Sequence, residues 1–431
     1  MAAGRSAGKN TASGKEMSSH VTPDGIEVPQ LGGAARPGLC TDCGVSRMGD
    51  GKACGRACQF IQPDYPALER TVHGREAGAE GDEAFFGVTL AMHRARLSPP
   101  AERAQWTGLT TALAADMLRS GAVEAVLATA PDPEDRWKPL PVLVTEPDAM
   151  AACRGMRMGF GPLLALLEPA RAAGYNRIAV VGIPCQVYAL RALEAELGFE
   201  AITVIGTPCS DNTTTARFHE FLARLDDRPE RISYLEFRAD YRVELRFDDG
   251  RRPRFIPFLQ LPLSDLPADF FPMTCKTCVD YTNRLADITV GYMGGDGDQW
   301  VILRNQRGAD AWAQLGARAQ VRSLTDKGKR EGAVRGFLAN TERAAGGLPL
   351  RRMPGWVRPI VAWLQPRIGP RGLEFARARV EMKAIETILH LRRVHPARVK
   401  NMVPDHVWRM AARYGLAPHD GERRDCDPPP E

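Results

Sequence analysis

"RIAVVGIPCQVYALRAL" (residues 177–193) and "AITVIGTPCSDN" (residues 201–212) repeat one pattern, in which a β-branched apolar run ends in Gly-x-Pro-Cys. Runs of this kind are typical of buried β-strands, and a helix-like segment follows each of them. Open α/β sheets place their ligands in loops at the carboxyl ends of parallel strands. The pattern therefore predicts that Cys185 and Cys209 lie side by side at one edge of a sheet.

The neighbouring sequence continues this alternation of strands and helices. Residues 105–130, "QWTGLTTALAADMLRSGAVEAVLATA", predict a turn, an amphipathic helix that stops at Gly121, and a Val-rich strand. Residues 231–258 alternate apolar and polar positions around Asp249-Gly250, which predicts a β-hairpin. We predict an α/β protein with α+β elements, built on a central mixed sheet with flanking helices.

Two stretches are suited to close contact with a ligand. At a helix N-terminus, "WTGLTT" (residues 106–111) presents backbone N–H groups that suit the phosphate of a nucleotide. An ordinary helix N-cap accounts for the same residues, and the sequence has no G-x-G-x-x-G there. After the predicted strand of "DITVGYMG" (residues 287–294), glycines let the backbone approach a flat or phosphorylated ligand, although each glycine alone also fits a plain turn.

The chain has ten cysteines, and most of them fall into two sets of four. The first set has the spacing C-x₂-C-x₁₀-C-x₃-C within residues 40–58, and the second joins the two Gly-x-Pro-Cys motifs to "CKTC" (residues 275–278). Both short spacings suit chelation of a metal ion or cluster by one loop. The predicted ligands are Cys40, Cys43, Cys54 and Cys58 in the first set, and Cys185, Cys209, Cys275 and Cys278 in the second.

The spacing alone leaves zinc and iron–sulfur clusters open, because both accept four cysteines. The second set comes from three distant segments, which favours a redox centre built into an enzyme domain over a self-folding zinc knuckle. Disulfides are disfavoured, since a chain of 431 residues with 44% hydrophobic content can build a core without them. Inert buried thiols are the alternative for Cys185 and Cys209 taken singly. Cys153 is predicted to be unligated, and Cys426 belongs to a charged tail.

Residues 351–400 are strongly basic, with 12 Lys/Arg against 3 Asp/Glu. Nucleic-acid binding is disfavoured, because the net charge is only +5 and no base-reading motif accompanies the patch. We expect a helix whose arginines face solvent, and such a patch would also attract a small acidic electron carrier. The expected buried stripe of this helix is Phe375, Ala378, Met382, Ile385 and Leu389.

Targeting signals are not evident in the sequence. The polar residues 1–37 predict a flexible leader without the apolar segment of a secretory signal. No apolar stretch approaches the roughly 20 residues that a transmembrane helix needs. Paired cysteines without disulfides are typical of a reducing compartment, so a cytoplasmic location is expected.

Seven motifs taken together resemble a known family. In chain order they are "CTDCG", "QWTGLTTALAADMLRSGAVEAVLAT", "GIPCQVYALRALE", "GTPCSDN", "CKTCVDYTNRLADITVGYMG", "VILRNQRG" and "GPRGLEFAR". Over roughly residues 38–410 the chain resembles the iron–sulfur flavoproteins related to the β subunit of deazaflavin-reducing hydrogenase, and in particular their ferredoxin-dependent, chlorophyllide-reducing members. We therefore divide the chain into a leader (1–37), an N-terminal iron–sulfur segment (38–75), a catalytic α/β domain (80–310), a helical C-terminal region (311–415) and a charged tail (416–431).

The resemblance implies FAD, two 4Fe-4S clusters held by the two cysteine sets, reduced ferredoxin as electron donor and a chlorophyllide-type tetrapyrrole as substrate. The implied reaction is reduction of the 8-vinyl group of 3,8-divinyl chlorophyllide a. Reduction of 7-hydroxymethyl chlorophyll a or of a deazaflavin is the alternative within the class, and a zinc-bearing nucleic-acid or assembly module is the alternative outside it. No catalytic residue is identified, although Asp211, Asp280 and Tyr281 lie near cysteine ligands. The implied flavin-binding residues are Trp106, Thr107, Gly108, Thr110, Thr111, Gly291, Tyr292, Met293, Gly294, Arg304 and Asn305.

Overall fold

The computed structural model describes residues 19–21, 25–29, 31, 39–50, 52–238, 240–291, 297–348, 350 and 353–424. Cys426 and the implied flavin residues Tyr292, Met293 and Gly294 lie outside these ranges. The strands are β1 (Ser19–Val21), β2 (Ile26–Pro29), β3 (Ala91–Leu97), β4 (Ala125–Pro131), β5 (Pro139–Val144), β6 (Arg177–Gly182), β7 (Ala201–Gly206), β8 (Ile232–Phe237), β9 (Arg242–Phe247), β10 (Arg254–Pro257), β11 (Ile288–Gly291), β12 (Gln299–Leu303), β13 (Ala319–Arg322), β14 (Asp326–Lys327) and β15 (Arg371–Gly372).

The helices alternate with these strands in the first two thirds of the chain and dominate the last third. They are α1 (Ala53–Ala57), α2 (Tyr65–His73), α3 (Glu83–Phe86), α4 (Leu109–Arg119), α5 (Leu167–Ala172), α6 (Pro184–Leu193), α7 (Thr215–Leu225), α8 (Met273–Lys276), α9 (Gln306–Ala313), α10 (Glu331–Ala345), α11 (Arg358–Ile368), α12 (Leu373–Val394), α13 (Val399–Met402) and α14 (Asp405–Ala412). None of the helices in the described ranges is both long and apolar enough to cross a bilayer.

A central mixed sheet of ten strands, in the order β1-β2-β5-β4-β6-β7-β11-β12-β3-β13, confirms the predicted fold class. Strands β4, β6, β7 and β11 run parallel to one another, and their outer neighbours are antiparallel. Gly182 of β6 pairs with Gly206 of β7. The loops that carry Cys185 and Cys209 therefore leave the same edge of the sheet from adjacent strands, as predicted.

The parallel strands are mostly apolar because both faces of the sheet are covered. Ile178 and Val180 belong to a buried cluster on one face, together with Val187 and Leu190 of α6. Ala179 belongs to the cluster on the other face, with Leu109 and Leu113 of α4. Strands covered on both faces read as continuous apolar runs rather than alternating ones, which is the pattern that the sequence shows.

The predicted local elements are also present. Helix α4 is followed by Gly121 at φ +72°, a left-handed conformation that glycine adopts without steric cost. Asp249-Gly250 connects β9 to β10, and β8 completes a separate three-stranded antiparallel sheet in the order β10-β9-β8.

Part of the segment predicted to be a flexible leader adds strands to the central sheet. Ile26 of β2 pairs with Val144 of β5, and β1 pairs with β2. Ile26 and Val28 pack against the buried cluster on the α4 side of the sheet. An apolar contact together with backbone pairing at a sheet edge explains why these residues are ordered despite their polar surroundings.

Helix α12 corrects the expectation of an arginine face in solvent. Ala378 and Ile385 of the expected stripe are buried, but so are Glu381, Lys383 and Thr387 on other faces of the helix. The helix packs against α3, α8, α10 and α14, so little of its circumference reaches solvent. Its buried polar side chains are retained because residues from distant segments pair with them, which a helical periodicity cannot reveal.

Candidate functional site

The four cysteines of the second set meet at one small cavity at the carboxyl edge of the parallel strands. Cys185 lies in the first turn of α6, Cys209 follows β7, and Cys275 and Cys278 belong to α8 and the turn after it. All four line the cavity, and all four are free thiols. The structure thus brings together the ligand set that the sequence predicts from three separate segments.

The inner set, as we name these four residues, is electrostatically unfavourable as a group of bare thiolates. Burial, together with the carboxylates and thiolates around them, raises the pKa of Cys275 to about 12 and that of Cys278 to about 11, although Lys383 acts in the opposite direction on both. Burial, together with the neighbouring cysteines, also raises the pKa values of Cys185 and Cys209 well above the ordinary range. Bound metal cations reverse this balance because they stabilise the deprotonated sulfur. The inner set therefore fits a cationic metal group.

Hydrogen-bond donors from outside the inner set point at its sulfur atoms. The backbone N–H of Asn212 donates to Cys275 Sγ at 3.4 Å, and Gln59 Nε2 donates to Cys278 Sγ at 3.7 Å. The hydroxyl of Thr41 bonds to the thiol of Cys185. Donors of this kind stabilise thiolate ligands and raise the reduction potential of iron–sulfur clusters.

Lys383 places a positive charge beside the inner set, and sequence reasoning missed it. Its side chain is 3% exposed, and Nζ donates to Asp211 Oδ1 at 3.0 Å, to Glu386 Oε2 at 2.8 Å and to the carbonyl oxygen of Cys275 at 2.5 Å. Burial alone would lower the pKa of Lys383, but Asp211 and Glu386 hold it above its ordinary value. A buried ammonium group at this position favours negative charge on the neighbouring sulfurs.

The cysteines of the first set, which we name the outer set, also converge. Burial, together with the nearby thiolates of Cys58, Cys54 and Cys40, raises the pKa of Cys43 to about 12. The backbone N–H of Asp42 donates to Cys40 Sγ at 3.3 Å. The other three cysteines of the outer set thus lie near Cys43, and their role as ligands stays a prediction.

The outer set is fixed to the α/β body by backbone contacts. The N–H of Leu164 donates to the carbonyl oxygen of Cys43 at 2.9 Å. Gly44 has φ +113°, and a Cβ atom there would lie 2.4 Å from the backbone nitrogen of Ala165. Only glycine fits so close an approach, so Gly44 determines how the outer set docks.

The two sets are neighbours. Thr41 and Gln59, which lie within or next to the outer set, both bond to sulfurs of the inner set. The thiolate of Cys43 also contributes to the raised pKa of Cys185.

Across the described residues, no three or more His, Cys, Asp or Glu side chains are spaced to hold a single metal ion.

The turn Trp106–Gly108 lies at the same edge of the sheet as the cysteines. Thr107 Oγ1 accepts the N–H of Leu97 at 2.9 Å and donates to Gln299 Oε1 at 3.0 Å. Gly108 has φ +89° and precedes the first residue of α4. This geometry presents the N-terminus of an eleven-residue helix at the carboxyl edge of the parallel strands, where an anionic group is favoured.

The other implied residues of this turn and of β11 lie close to it. Thr111 Oγ1 donates to the carbonyl oxygen of Gly108 at 3.2 Å, and Thr110 is half-buried in the same helical turn. Gly291 ends β11, and a Cβ atom there would lie 2.4 Å from Cδ of Pro208, the residue before Cys209. The structure thus brings these implied flavin residues to the edge of the sheet that carries the inner set.

Replacing Thr107 with valine is expected to destabilise the protein by about 2 kcal/mol, because the buried N–H of Leu97 loses its acceptor and Gln299 Oε1 loses one of its two donors. Chemical denaturation of the wild-type protein and the variant measures this difference. Thr110→Val, at a half-buried neighbour in the same helical turn, is the matched control. Equal losses for the two variants would contradict a specific role for Thr107.

Arg304 and Asn305 are not brought to this edge, because they follow the other end of β12. Arg304 is 2% exposed, and its guanidinium donates to the carbonyl oxygens of Phe86, Val88 and Thr282. Asn305 caps α9, accepting the N–H of Gly308 at 3.1 Å. In this structure both side chains hold loops and a helix end together.

The three titratable or hydroxyl residues noted near the cysteines have structural partners. Asp211 pairs with Lys383, and the carboxylate of Asp280 accepts the backbone N–H of Arg284 at 3.0 Å. The carbonyl oxygen of Tyr281 accepts the N–H of Cys209 at 3.0 Å, and burial raises the pKa of the Tyr281 hydroxyl to about 12. These contacts hold the loops of the inner set and identify none of the three as a proton donor.

Comparison with known proteins agrees with this architecture. The sequence matches the profiles of the coenzyme F420 hydrogenase/dehydrogenase β subunit, the N-terminal part at residues 92–168 and the C-terminal part at residues 175–327. An uncharacterized protein of Nostoc sp. (strain PCC 7120) is 34% identical over 380 residues, which cover 88% of this chain and 94% of that protein. The chain belongs to the coenzyme F420 hydrogenase/dehydrogenase β subunit family.

Two further similar proteins are an enzyme and a chain of an enzyme complex. The chloroplastic 7-hydroxymethyl chlorophyll a reductase of Oryza sativa subsp. japonica is 33% identical over 414 residues, which cover 93% of this chain and 86% of that protein. A chain of the F420-reducing NiFe hydrogenase complex of Methanosarcina barkeri has a similar fold, with a TM-score of 0.50 and 21% sequence identity over 56% of this chain and 84% of that chain.

Only one of the two cysteine sets lies within the coenzyme F420 hydrogenase/dehydrogenase β subunit profiles. The C-terminal profile, residues 175–327, contains the whole inner set, and the N-terminal profile, residues 92–168, contains the turn Trp106–Gly108. The outer set precedes both profiles. The alignment with the rice reductase covers 93% of the chain and therefore spans residues 40–58 as well.

Proposed function

We propose that this protein is an iron–sulfur flavoprotein that takes electrons from reduced ferredoxin and reduces a chlorophyll-type tetrapyrrole. The specific reaction we propose is conversion of the 8-vinyl group of 3,8-divinyl chlorophyllide a to an ethyl group. The observation that carries the proposal is the convergence of two adjacent thiol sets with the turn Trp106–Gly108 at one edge of the sheet. The 33% identity to a chlorophyll reductase over nearly the whole chain supports the substrate class.

The described residues suit the cofactors that this reaction requires. Each cysteine set would hold one 4Fe-4S cluster, and the N-terminus of α4 would hold FAD through its phosphates. When bound, FAD supplies storage of an electron pair, which is needed because ferredoxin delivers electrons singly and a vinyl group is saturated by a pair. Thr41, Gln59 and Asn212 orient and stabilise the sulfur ligands of the inner set.

Apolar residues limit the access of water to the inner set. Phe60, which is 2% exposed, and Phe160 line the cavity together with the four inner cysteines. Excluding water strengthens the electrostatic influence of Lys383 on the sulfurs, since the local dielectric constant is lower. The chain therefore contributes ligands, orientation and a shielded environment to electron transfer.

A second candidate reaction is reduction of 7-hydroxymethyl chlorophyll a, the activity that the rice relative is named for. The two reactions share the proposed electron path and differ only in the group that is reduced. Pigment assays under anaerobic conditions, with photochemically reduced ferredoxin, separate them. Formation of the 8-ethyl product from the divinyl substrate supports our proposal, whereas turnover of the hydroxymethyl pigment alone would replace it with the second candidate.

Cofactor content tests the redox assignment independently of substrate. We expect about eight iron atoms, matching acid-labile sulfide and one FAD per chain after anaerobic purification. A colourless protein with stoichiometric zinc and no flavin would reject the enzyme and favour a zinc-bearing nucleic-acid or assembly module. Salt-sensitive binding to nucleic acid would then be the next measurement.

Replacing Lys383 with methionine is expected to shift the reduction potential of the inner centre on the order of 50 mV to more negative values, or about 1 kcal/mol for one electron. The physical reason is the loss of a buried positive charge beside the sulfur ligands. Redox titration followed by electron paramagnetic resonance measures the shift. Lys383→Arg keeps the charge and is the matched control, and an unchanged potential in Lys383→Met at full iron content would contradict the role of Lys383.

A further inference from the structure

Exposed apolar side chains are concentrated in one short stretch of the chain. Among the described residues, eleven large hydrophobic side chains are exposed, and six of them lie within residues 348–368. Trp356 is 76% exposed, Trp363 is 61% exposed and Ile368 is 65% exposed. Single exposed apolar residues need no explanation, but a contiguous group on one element marks a contact surface.

The geometry of α11 places these side chains in a row. Trp356, in the turn before the helix, and Ile360, Trp363 and Arg367 within it are separated by three or four residues and so share one face. No residue of α11 is buried, and the helix contacts the short turn Phe258–Gln260. We name the residues Trp356, Ile360 and Trp363 the α11 ridge; Ile368, the last residue of the helix, lies outside this face.

The charge around the α11 ridge is positive. Residues 351–371 contain five arginines and no aspartate or glutamate. Arg367 stacks over the ring of Trp363, with Cζ 4.1 Å from the ring centroid. Among the described residues, no carboxylate lies within ion-pair distance of Arg358, Arg367 or Arg371, so their positive charge is not neutralised locally.

We propose that the α11 ridge binds the surface of an anionic lipid bilayer. Tryptophan rings prefer the interface between water and hydrocarbon, and arginines attract anionic headgroups while their aliphatic stems reach past apolar groups. A helix that combines both on an otherwise unpacked surface lies in the plane of the interface. A protruding row of tryptophan and isoleucine side chains can enter the headgroup region without any rearrangement of the fold.

Contacts at the end of α11 connect it to the body of the protein. The hydroxyl of Tyr241 bonds to the carbonyl oxygen of Pro370, directly after α11, and its ring contacts that of Phe375 in α12. One turn further along α12, Arg379 Nε donates to Ser210 Oγ at 3.2 Å, next to Cys209. Membrane binding would therefore orient the whole molecule, with the α12 side of the inner set near the lipid surface.

Vesicle flotation of the full-length protein tests this proposal without any assay of activity. We expect binding to vesicles of phosphatidylcholine with phosphatidylglycerol, and much weaker binding to phosphatidylcholine alone or at high salt. The double variant Trp356→Ser/Trp363→Ser should bind at least about tenfold more weakly. Arg358→Gln/Arg367→Gln should bind the anionic vesicles about 30-fold more weakly.

A matched control removes equally exposed apolar residues from other surfaces. Leu90 is 60% exposed and Val321 is 53% exposed, and Leu90→Ser/Val321→Ser should bind vesicles as the wild-type protein does. All variants should keep the wild-type circular dichroism spectrum and iron content, since none of these residues is buried.

Three outcomes would overturn the proposal. One is failure of the wild-type protein to float with anionic vesicles. Another is self-association in size-exclusion chromatography that the tryptophan variant abolishes, which would assign the α11 ridge to contact with a second copy. The third is binding of reduced ferredoxin that depends on Arg358 and Arg367 in a protein that ignores vesicles, which would assign the surface to the electron donor.

Discussion

Replacing Cys209 with alanine is expected to lower the iron content of the anaerobically purified protein by about half, because a 4Fe-4S cluster depends on all four thiolates. Cys209 follows β7 and lines the cavity that it shares with Cys185, Cys275 and Cys278. Reduction of the pigment should fall below detection, since in the proposed function electrons pass from the donor to the flavin through the cluster of the inner set. Iron and sulfide analysis, with the visible spectrum, measures the loss.

Cys153→Ala is the matched control for this experiment. Cys153 is also a partly buried free thiol, and burial raises its pKa to about 12, but it packs against the apolar cluster on the α4 side of the sheet. We expect this variant to keep its full iron content. Retention of all the iron in Cys209→Ala, or an equal loss in Cys153→Ala, would contradict the assignment of the inner set.

The sequence was sufficient to predict the sheet edge and the two cysteine sets, because these depend on local patterns. The apolar runs of β6 and β7 end in the same Gly-x-Pro-Cys motif, and adjacent parallel strands bring their ends together. The spacing of Cys40 and Cys43 likewise predicts a chelating loop without knowledge of the rest of the fold. Strand ends and short cysteine spacings can be predicted because each depends only on residues that are close together in the sequence.

The environment of the inner set could not be predicted in the same way. Lys383 donates a hydrogen bond to Asp211, although the two residues are 172 positions apart in the sequence. The residues around each of them do not indicate this contact. The helical pattern of α12 instead favoured an exposed basic face, because one apolar stripe satisfies the usual surface helix. The burial of Lys383 depends on α8 and on the loop after β7, which pack on α12 only in the folded chain.

The position of Arg304 and Asn305 in the fold could not be predicted from the motif that contains them. The apolar residues of "VILRNQRG" form the end of strand β12, and Arg304 and Asn305 follow it. A motif does not state which edge of the sheet that end occupies, and β12 runs antiparallel to β11. The start of β12, at Gln299, therefore meets Thr107, while its end places Arg304 against the carbonyl oxygens of distant loops.

Replacing Asp287 with alanine is expected to destabilise the fold by about 3–5 kcal/mol, because it removes the fully buried counter-charge of Arg191 and leaves only the partly exposed Glu194 as its partner. Asp287 and Arg191 have fully buried side chains, and Arg191 Nη2 donates to Asp287 Oδ2 at 2.8 Å. The same carboxylate accepts Val204 N at 2.7 Å and Asn305 Nδ2 at 2.7 Å. Chemical denaturation of the holoprotein at neutral pH measures the difference in the free energy of unfolding.

A surface ion pair provides the control for Asp287. Asp248 pairs with Arg136 at 2.9 Å, but the two side chains are 33% and 45% exposed. Asp248→Ala should cost less than about 1 kcal/mol, since water already screens that pair. Similar losses in the free energy of unfolding for the two variants would contradict the view that burial determines how much the Asp287 pair stabilises the fold.

The contribution of Asp287 should also depend on pH in a defined direction. Burial by itself would raise the pKa of Asp287, but Arg191 and Arg307 outweigh it and hold the pKa below its ordinary value. A carboxyl group of this kind stabilises the fold above its unfolded pKa of about 4, and that stabilisation is lost as the pH falls through the lower folded value. The wild-type protein should therefore exceed Asp287→Asn in stability by a constant amount at neutral pH, and the difference should shrink on acidification below about pH 4. Denaturation curves of both proteins across this range measure it, and a difference that widens in acid would show that the charge of Asp287 is not what stabilises Arg191.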